Sequence, residues 1–226
     1  MTTILITGTN RGIGLELAKQ ALAKGWTVYG SARSEVTDPD AHICEHPKFH
    51  DLVFDVTDYE AVRAAASSIS EPIDILINNA GIIGPDRQST LDMDFDGFAQ
   101  TIAVNTLAPL AVSQAFLPHL RRSAAPRILT ISSSMGSLSY AKSDRIAYRA
   151  SKAAVNKVMQ GLATDLEPIG IAVAMLHPGW VRTDMGGAEA DIDAGTSANG
   201  ILKIAEGLTL KRTGRFFNWD GSSAAW

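Results

Sequence analysis

Short apolar runs alternate along this chain with longer stretches whose apolar residues recur at helical spacing. The apolar runs lie at 3–7, 27–32, 51–56, 73–80, 127–132 and 171–179, and the helical stretches lie near 14–24, 58–69, 91–119, 148–166 and 195–206. Continuous apolar strands separated by helices are typical of a parallel sheet covered by helices on both faces. The alternation therefore predicts an α/β fold. Because no repeat or biased linker divides the chain, we predict one domain over residues 1–226.

Composition excludes several classes of protein. The chain has 226 residues, a net charge of -4 and a hydrophobic fraction of 46%, so it can bury a core without disulfides and lacks the basic character of a nucleic-acid-binding protein. Cys44 is the one cysteine, which favours a reducing compartment. The first residues do not resemble a signal peptide, and no apolar run approaches the roughly 20 residues of a membrane-spanning helix. We predict a cytoplasmic protein with no nucleic-acid or membrane partner.

The segment 4–14, ILITGTNRGIG, has the pattern of a strand, a glycine-rich turn and the start of a helix. Gly8 permits a tight exit from the strand, Gly12 leaves the backbone open to a phosphate, and Gly14 lets the helix pack closely on the sheet. The positive end of the helix then faces an anion. A plain glycine-rich turn is the alternative. No Gly-Lys-Ser/Thr follows, which disfavours an ATPase or a kinase.

Tyr148 and Lys152 stand four residues apart in a helical stretch, which places both side chains on one helix face. A free tyrosine has a pKa of about 10, and a nearby cation lowers that pKa because it favours the phenolate. The pair is therefore a candidate general acid/base. The alternative is a tyrosine packed on the aliphatic stem of the lysine.

A serine cluster follows the apolar run at 127–132, where the carboxyl end of a strand meets ligands in open α/β sheets. Counting back from Gly136, Ser133 is the best-placed hydroxyl to bond a substrate carbonyl oxygen, and Ser132 and Ser134 are the alternatives. The same hydroxyls would also suit the turn that ends a strand.

Six motifs occur in an order that resembles the short-chain dehydrogenase/reductase family, and they span residues 4–185. They are TGTNRGIG (7–14), NNAG (78–81), Asn105 in VNTLAPL, ISSSMG (131–136), YRASK (148–152) and HPGWVRTDM (177–185). Two of them also look like the carbonyl-reductase-like and C-factor-like members. The resemblance implies a single Rossmann-type, doubly wound parallel sheet of about seven strands, and hydride transfer between a nicotinamide cofactor and a carbonyl or alcohol substrate.

The resemblance assigns catalytic roles to four residues. Tyr148 would be the general acid/base, and Lys152 would tune it and bind the nicotinamide ribose. Ser133 would orient the reacting oxygen, and Asn105 would hold a proton-relay water near Lys152. For Asn105 the alternative is a helix residue whose side chain is satisfied by the backbone.

The resemblance also implies a set of cofactor contacts. They are Gly8, Asn10, Arg11, Gly12, Ile13, Gly14, Arg33, Asp55, Val56, Asn79, Ala80, Gly81, Tyr148, Lys152, Pro178, Gly179, Val181 and Thr183. Asp55 has a helix cap or turn residue as its alternative, and the Pro-Gly pair has an ordinary turn.

Cofactor preference depends on the end of the second strand, where an acidic residue would accept from the ribose 2′-hydroxyl of NAD. Here Ala32 is followed by Arg33, and Arg11 lies in the glycine-rich turn. Guanidinium groups suit a 2′-phosphate, so we predict NADP. Glu35 leaves NAD open, and Arg33 has a solvated surface charge as its alternative.

Four bulky residues flank the predicted site and suggest an apolar or aromatic carbonyl substrate, with core packing as the alternative. They are Met135, Tyr140, Trp180 and Met185. The polar stretch 186–199 is a candidate lid, and 215–226 is a candidate edge strand and tail near the pocket or a subunit contact. The family often forms dimers or tetramers through helices such as 91–119 and 148–166, so we expect a homodimer or homotetramer.

Four candidate metal ligands lie close together in the sequence, but their spacing matches no zinc pattern, and we predict no metal. They are His42, Cys44, His46 and His50. Two function classes remain: a carbonyl reductase or alcohol dehydrogenase, and a cofactor-binding signalling or regulatory protein on the same scaffold. A tuned phenol favours the enzyme, because a protein that only binds the cofactor does not need one.

Overall fold

The computed structural model describes residues 2–33 and 43–226. Within them the strands are β1 (Thr3–Thr7), β2 (Thr27–Ala32), β3 (Phe49–Val53), β4 (Ile75–Asn78), β5 (Gln88–Ser89), β6 (Asp92–Met93), β7 (Arg127–Ile131), β8 (Ala172–His177), β9 (Val181–Arg182), β10 (Ile192–Asp193) and β11 (Arg215–Asn218). The α-helices there are α1 (Gly12–Ala23), α2 (Tyr59–Ser67), α3 (Phe95–Ile102), α4 (Ala108–Leu120), α5 (Ile146–Leu166) and α6 (Ala194–Gly207).

Seven strands form one sheet in the order β11-β8-β7-β4-β1-β2-β3. Every neighbouring pair in this sheet is parallel. The fold class predicted from the sequence is thereby confirmed, including the C-terminal edge strand β11. The assignment of residues 1–226 to one domain stays a prediction, and the polar stretch 34–40 lies outside the described residues.

Four of the six predicted strands have different bounds in the structure, and the differences are largest for β3 and β4. The run predicted at 51–56 forms β3 at Phe49–Val53 because that register pairs it with β2. Asp55 then turns the chain by accepting a hydrogen bond from the Thr57 N–H at 2.8 Å. β4 ends at Asn78 because the next two N–H groups bond to the Thr7 hydroxyl, each at 3.0 Å, instead of continuing a strand.

The sheet is covered on both faces, as its apolar strands require. Ile4 and Ile6 of the central strand β1 are fully buried in a core formed with α1 and α6. Leu5, between them, is fully buried in a second core formed with α2, α4 and α5. Successive side chains of a strand point to opposite faces, so one apolar strand supplies both cores.

α3 and α4 form one continuous helical run, Phe95–Leu120, through a π-helical turn at Ala103–Leu107. By length and composition this is the segment of the described chain that is apolar enough to cross a membrane, with a mean hydropathy of 1.2. Half of its most apolar 18-residue stretch is buried inside the protein, and Phe116 packs in the core against α2 and α5. Polar residues interrupt the run, so the sequence does not show it as one apolar stretch.

The order of the strands reverses between β1 and β4. From β1 the chain proceeds outward through β2 and β3, and from β4 it proceeds the other way through β7, β8 and β11. Ligands of open α/β sheets bind beyond the carboxyl ends of the strands at such a point. The glycine-rich turn, the NNAG segment and the serine cluster all follow strands at this edge.

Candidate active site

The glycine-rich turn brings α1 close against β1. Gly8 has a φ of 75°, in the left-handed region that favours glycine. A Cβ on Gly14 would lie 1.9 Å from the Gly8 carbonyl oxygen and 2.5 Å from the Asn79 amide nitrogen. Asn10 is exposed at the turn, and Ile13 packs against the core.

The N-terminus of α1 is suited to an anion. Arg11, its N-cap, makes no side-chain cap bond, and the first turn holds no acidic residue. By contrast, the side chains of Asp58, Asp94 and Asp193 accept hydrogen bonds at the starts of α2, α3 and α6. The first N–H groups of a helix have no partner within it, so those of α1 can donate to a pyrophosphate. This edge of the sheet fits a dinucleotide.

The NNAG segment fixes the carboxyl ends of β1 and β4 against each other. The Asn79 amide donates to the carbonyls of Thr7 and Gly8 at 2.9 and 3.1 Å. Asn78 is buried and donates to the Ser113 and Thr130 hydroxyls at 3.1 and 3.3 Å. Since both side chains bond within the protein, they build the crevice, whereas the backbone of Ala80 and Gly81 remains at its wall.

The end of β2 carries the residues predicted to choose between cofactors. Ala32 is buried and the following Arg33 is exposed. Burial raises the pKa of Asp55, but hydrogen bonds from Thr57 and the positive charge of Arg33 together lower it below its usual value. Arg33 therefore lies near Asp55, and the buried Val56 follows. Asp55 makes the turn bond that its alternative describes, and its contact with the cofactor stays a prediction, whereas Asp58 caps α2. Glu35 lies outside the described residues.

The loop after β8 reaches across to the glycine-rich turn. A Cβ on Gly12 would lie 3.3 Å from the Thr183 methyl carbon. The exposed Arg11 guanidinium donates to the Asp184 carboxylate at 2.7 Å. Arg11 is thus paired with a carboxylate in this structure, and its predicted second charge toward a 2′-phosphate stays a prediction.

The turn that opens this loop is built around Pro178 and Gly179. Gly179 has a φ of 89°, and a Cβ there would lie 2.7 Å from Ile192 and 3.0 Å from Trp219. Val181 is buried in the short strand β9. The close packing on Gly179 fixes the course of the chain beside the carboxyl end of the sheet.

Ser133 and Tyr148 meet at the carboxyl end of β7. Both are buried, Ser133 with 7% and Tyr148 with 8% of its surface exposed. The Ser133 side chain lowers the pKa of Tyr148 against the larger effect of burial, and the Ser133 Oγ accepts from the Met135 N–H at 3.1 Å. Ser132 instead points to the Lys152 carbonyl at 3.4 Å. Of the three candidate serines, Ser133 is the one that acts on the pKa of the phenol.

The serine turn presses directly on α5. A Cβ on Gly136 would lie 2.7 Å from the Lys152 carbonyl carbon. This close approach brings a loop serine beside a helical tyrosine, and it explains the glycine at the end of ISSSMG.

Lys152 lies on the same face of α5 as Tyr148. Its Nζ is 5.6 Å from the centre of the Tyr148 ring and donates to the Ile131 carbonyl at 2.8 Å. A Cβ on Gly81 would lie 3.6 Å from that Nζ and 3.2 Å from the Asn105 Oδ1. Lys152 and Asn105 therefore face one small gap that glycine leaves open.

Asn105 lies in the π-helical turn, and its side chain is fully engaged. It accepts from the Ile82 N–H at 2.9 Å and donates to the Ile82 carbonyl at 2.8 Å and to the Ser151 hydroxyl at 2.9 Å. This pattern agrees with the alternative interpretation, an asparagine satisfied by its neighbours. Asn105 ties the loop after β4 to α5.

The electrostatics differ from the sequence expectation that Lys152 lowers the phenol pKa. Burial raises the pKa of Tyr148, and the opposing effects come from the Ser133 hydrogen bond and the charge of Arg145. Burial also lowers the pKa of Lys152 to about 8. Desolvation disfavours the charged form of each group, and for this buried pair it dominates. The sequence did not single out Arg145, which has a φ of 50° immediately before α5.

We refer to the four predicted substrate residues, Met135, Tyr140, Trp180 and Met185, as the apolar rim. Tyr140, Trp180 and Met185 are exposed and Met135 is half-buried, so the core-packing alternative is wrong for the first three. Leu138, which the sequence analysis missed, is 88% exposed on the same segment. An exposed leucine beside the serine turn has no sequence signal that separates it from a buried one.

The structure describes two predicted features, the candidate lid at 186–199 and the C-terminal tail at 215–226. The Trp180 indole N–H donates to the Gly186 carbonyl at 2.8 Å, which fixes the ring over the short loop. Of the candidate lid 186–199, residues from Ala194 onward belong to α6. The C-terminal tail lies near the serine turn, because the Ser137 hydroxyl donates to the Trp226 carbonyl at 2.5 Å.

Residues 43–226 and 2–33 hold no group of three or more metal-ligating side chains. The His46 Nδ1 accepts from the Lys48 N–H at 3.2 Å, and His50 stacks on Tyr29 with 4.8 Å between ring centres. His42 lies outside the described residues. The two described histidines of the cluster thus make separate contacts.

Comparison with known proteins agrees with this geometry. A family model described as short chain dehydrogenase matches residues 2–193. The chain belongs to the short-chain dehydrogenase family. The family resemblance found in the sequence motifs is thereby confirmed. The class of activity, an oxidoreductase, is confirmed as well.

Three relatives of this short-chain dehydrogenase carry more specific names. C-signal of Myxococcus xanthus is 43% identical over 168 residues, 73% of this chain and 100% of that protein. The 1-hydroxy-2-glutathionyl-2-methyl-3-butene dehydrogenase of Rhodococcus sp. (strain AD45) is 33% identical and both chains are covered in full. The NADPH-bound carbonyl reductase from chicken fatty liver is 33% identical with a TM-score of 0.91, over 100% of this chain and 99% of that one.

Proposed function

We propose that this protein is an NADP(H)-dependent carbonyl reductase in which Tyr148 transfers the proton. One observation carries the proposal: the Ser133 hydroxyl, the Tyr148 phenol and the Lys152 ammonium converge from a loop and a helix at the carboxyl edge of the sheet. They lie beside a glycine-lined gap and a helix N-terminus suited to an anion. A purely structural cluster would not require three buried polar groups at this edge.

The protonation states favour carbonyl reduction. When bound, the nicotinamide supplies a hydride to the carbonyl carbon and takes it back in the reverse reaction. Ser133 orients the carbonyl oxygen, and Tyr148 donates its phenolic proton to that oxygen. Because burial raises the pKa of Tyr148, the phenol stays protonated at neutral pH, as a general acid requires.

Lys152 restores the proton that Tyr148 gives up. Its pKa of about 8 lies close to neutral pH, so the loss and the uptake of a proton by Lys152 both cost little free energy. Asn105 holds the loop after β4 against α5 and keeps the gap beside Lys152 open. Its function as the holder of a relay water stays a prediction.

NADP is the cofactor that the end of β2 favours. The exposed Arg33 follows the buried Ala32, so no carboxylate side chain stands at the position that would accept from a ribose hydroxyl. A guanidinium binds a 2′-phosphate through charge-assisted hydrogen bonds. The NADPH in the chicken carbonyl reductase supports the same assignment. We propose that the remaining cofactor contacts, from Gly8 to Thr183, line the same crevice.

The exposed apolar rim supports a small apolar or aromatic carbonyl compound as substrate. Trp180 and Tyr140 present exposed aromatic surface. The expected homodimer or homotetramer and the cytoplasmic location stay predictions.

A second function is supported by one comparison. The 43% identity to C-signal supports a cofactor-binding signalling or regulatory protein. The convergence of Ser133, Tyr148 and Lys152 favours the enzyme, because cofactor binding alone does not need a proton donor.

One experiment separates the two functions. A panel of quinones, aldehydes and ketones is assayed by NADPH oxidation with the wild type, Tyr148→Phe and the control Tyr59→Phe, which alters a tyrosine on α2. We expect turnover that falls by about 10²–10⁴-fold in Tyr148→Phe only, with NADPH binding retained. Binding of NADPH without turnover of any compound by the wild type would support the regulatory protein, and full activity of Tyr148→Phe would refute the proton donor.

A further inference from the structure

Gln88 is a buried polar side chain whose hydrogen bonds are all made within the protein. It lies in the short strand β5 with 7% of its surface exposed. Its Oε1 accepts from the Tyr148 backbone N–H at 3.1 Å. Its Nε2 donates to the Ile83 carbonyl at 3.1 Å and to the Pro85 carbonyl at 2.7 Å. One amide therefore links two segments that are about 60 residues apart in the chain.

The bond to Tyr148 supplies a cap that α5 lacks. Arg145, the N-cap residue, makes no side-chain cap bond, and the Arg149 N–H already bonds to the Arg145 carbonyl at 2.9 Å. The first N–H groups of a helix need partners from outside it. Gln88 satisfies the N–H of the same residue that carries the phenol.

The other end of Gln88 is held rigidly. Gly84 has a φ of 91°, and a Cβ there would lie 2.9 Å from the Thr101 hydroxyl and 3.4 Å from the Gln88 Nε2. Thr101 is itself buried and donates to the Gly97 carbonyl at 2.7 Å. The loop at 83–85 is thus confined between α3 and Gln88, so it cannot follow a shift of α5 without breaking contacts.

We infer that Gln88 is a positioning residue for the reaction: it fixes the start of α5, and with it the Tyr148 phenol, relative to Ser133 and the substrate carbonyl. The inference rests on the proposed function. Tyr148 lies on α5 and Ser133 in the loop after β7. The contacts of α5 with other segments therefore set the position of the phenol relative to the serine. The proposed proton transfer needs hydrogen-bond distance, and a displacement of about 1 Å can lower a rate about 100-fold.

The effect is expected on the proton-transfer step rather than on cofactor binding. Gln88 bonds to neither the glycine-rich turn nor the loop after β8. Gln88→Met keeps the length of the side chain and removes all three hydrogen bonds. Gln88→Glu keeps an acceptor for the Tyr148 N–H, and its protonated form can still donate to the Pro85 carbonyl.

The test compares these variants with Gln20→Met. Gln20 also bridges two elements, since its Nε2 donates to the Gly195 carbonyl at 2.9 Å between α1 and α6. For Gln88→Met we expect kcat to fall about 10–100-fold, an unchanged Kd for NADPH, and a larger solvent deuterium isotope effect on kcat. Gln88→Glu should recover kcat to within about 5-fold of the wild type. Gln20→Met should leave kcat and the isotope effect unchanged.

The outcomes distinguish the inference from the proposed function. Absence of turnover by the wild type overturns the proposed function. Turnover by the wild type with equal kcat and equal isotope effects in Gln88→Met and Gln20→Met overturns the positioning inference alone. If Gln88→Met does not fold, Gln88→Glu and Gln88→Asn provide the test, because the shorter side chain of asparagine cannot reach both segments. A wild-type isotope effect in Gln88→Glu together with a low kcat and a larger isotope effect in Gln88→Asn supports positioning. Wild-type kinetics in Gln88→Asn overturn it.

Discussion

The carbonyl oxygen of Gly8 lies 1.9 Å from the position that a Cβ of residue 14 would occupy. α1 can therefore start against the end of β1 only with glycine at this position. The backbone on one side of this contact is the proposed cradle for the pyrophosphate, so packing and binding depend on the same missing side chain.

We predict that Gly14→Ala lowers the free energy of unfolding by about 1–3 kcal/mol and weakens NADPH binding, because the helix must move away from β1. The matched control is Gly161→Ala in the middle of α5, where a Cβ meets nothing within 4 Å. That change should raise stability by about 0.5–1 kcal/mol, since alanine is the better helix former. Urea unfolding measures both; equal stability of the two variants would contradict the prediction.

The buried Lys152 should make stability depend on pH. Burial lowers its pKa from 10.5 to about 8, so the unfolded chain binds more protons between these values and the free energy of unfolding rises with pH across that window. The full contribution is about 3 kcal/mol. Above pH 10 the effect is opposed, because burial raises the pKa of Tyr148 and of Tyr29, for which it reaches about 12, and the unfolded tyrosines ionise first.

Urea unfolding at a series of pH values between 8 and 10 measures this slope. Lys152→Met should remove it, whereas Lys157→Met, an exposed lysine on the same helix, should keep it. A wild-type slope retained by Lys152→Met would show that the lysine is not the titrating group.

Arg145 should affect both the stability of the protein and the phenol. It has a φ of 50°, the one positive value for a non-glycine residue among residues 2–33 and 43–226, which costs about 1–2 kcal/mol. Arg145→Gly should therefore raise the free energy of unfolding by about 1 kcal/mol. The charge of Arg145 lowers the pKa of Tyr148 against the larger effect of burial, so its removal should shift the alkaline loss of reductase activity to higher pH.

A pH profile of kcat and a denaturation curve test the two effects separately. Lys142→Ala, which removes the same charge from the same exposed loop, should change neither. An unshifted alkaline limb in Arg145→Gly would mean that the guanidinium does not act on the phenol.

Arg33 should decide between the two nicotinamide cofactors. We expect Arg33→Ala to raise the Kd of NADPH by about 10–100-fold, because a charge-assisted hydrogen bond to phosphate is lost, and to leave the Kd of NADH within about 2-fold. Binding is followed by cofactor fluorescence, with Arg63→Ala on the exposed face of α2 as the control. Equal weakening of both cofactors would contradict a 2′-phosphate contact.

Local sequence was sufficient for the architecture and for the motifs that surround the candidate site. Apolar strands of four to six residues separated by helices can bury both faces only in a covered parallel sheet, and the observed sheet has that form. The close approach at Gly14 was also readable from its motif position, whereas the approach of Gly136 to Lys152 was not predicted. The bounds of β3 were not, because pairing with β2 rather than local hydropathy decided its register.

The sequence by itself determined the fold class, the family and the spacing that puts Tyr148 and Lys152 on one face of a helix. Only the tertiary structure decided the electrostatics and the support of that pair. Burial acts on both groups and reverses the expected change in the pKa of Tyr148, and Gln88, 60 residues upstream, holds the tyrosine backbone. Desolvation and hydrogen bonds between distant segments depend on which surfaces meet in the folded chain, and no local pattern of residues encodes them.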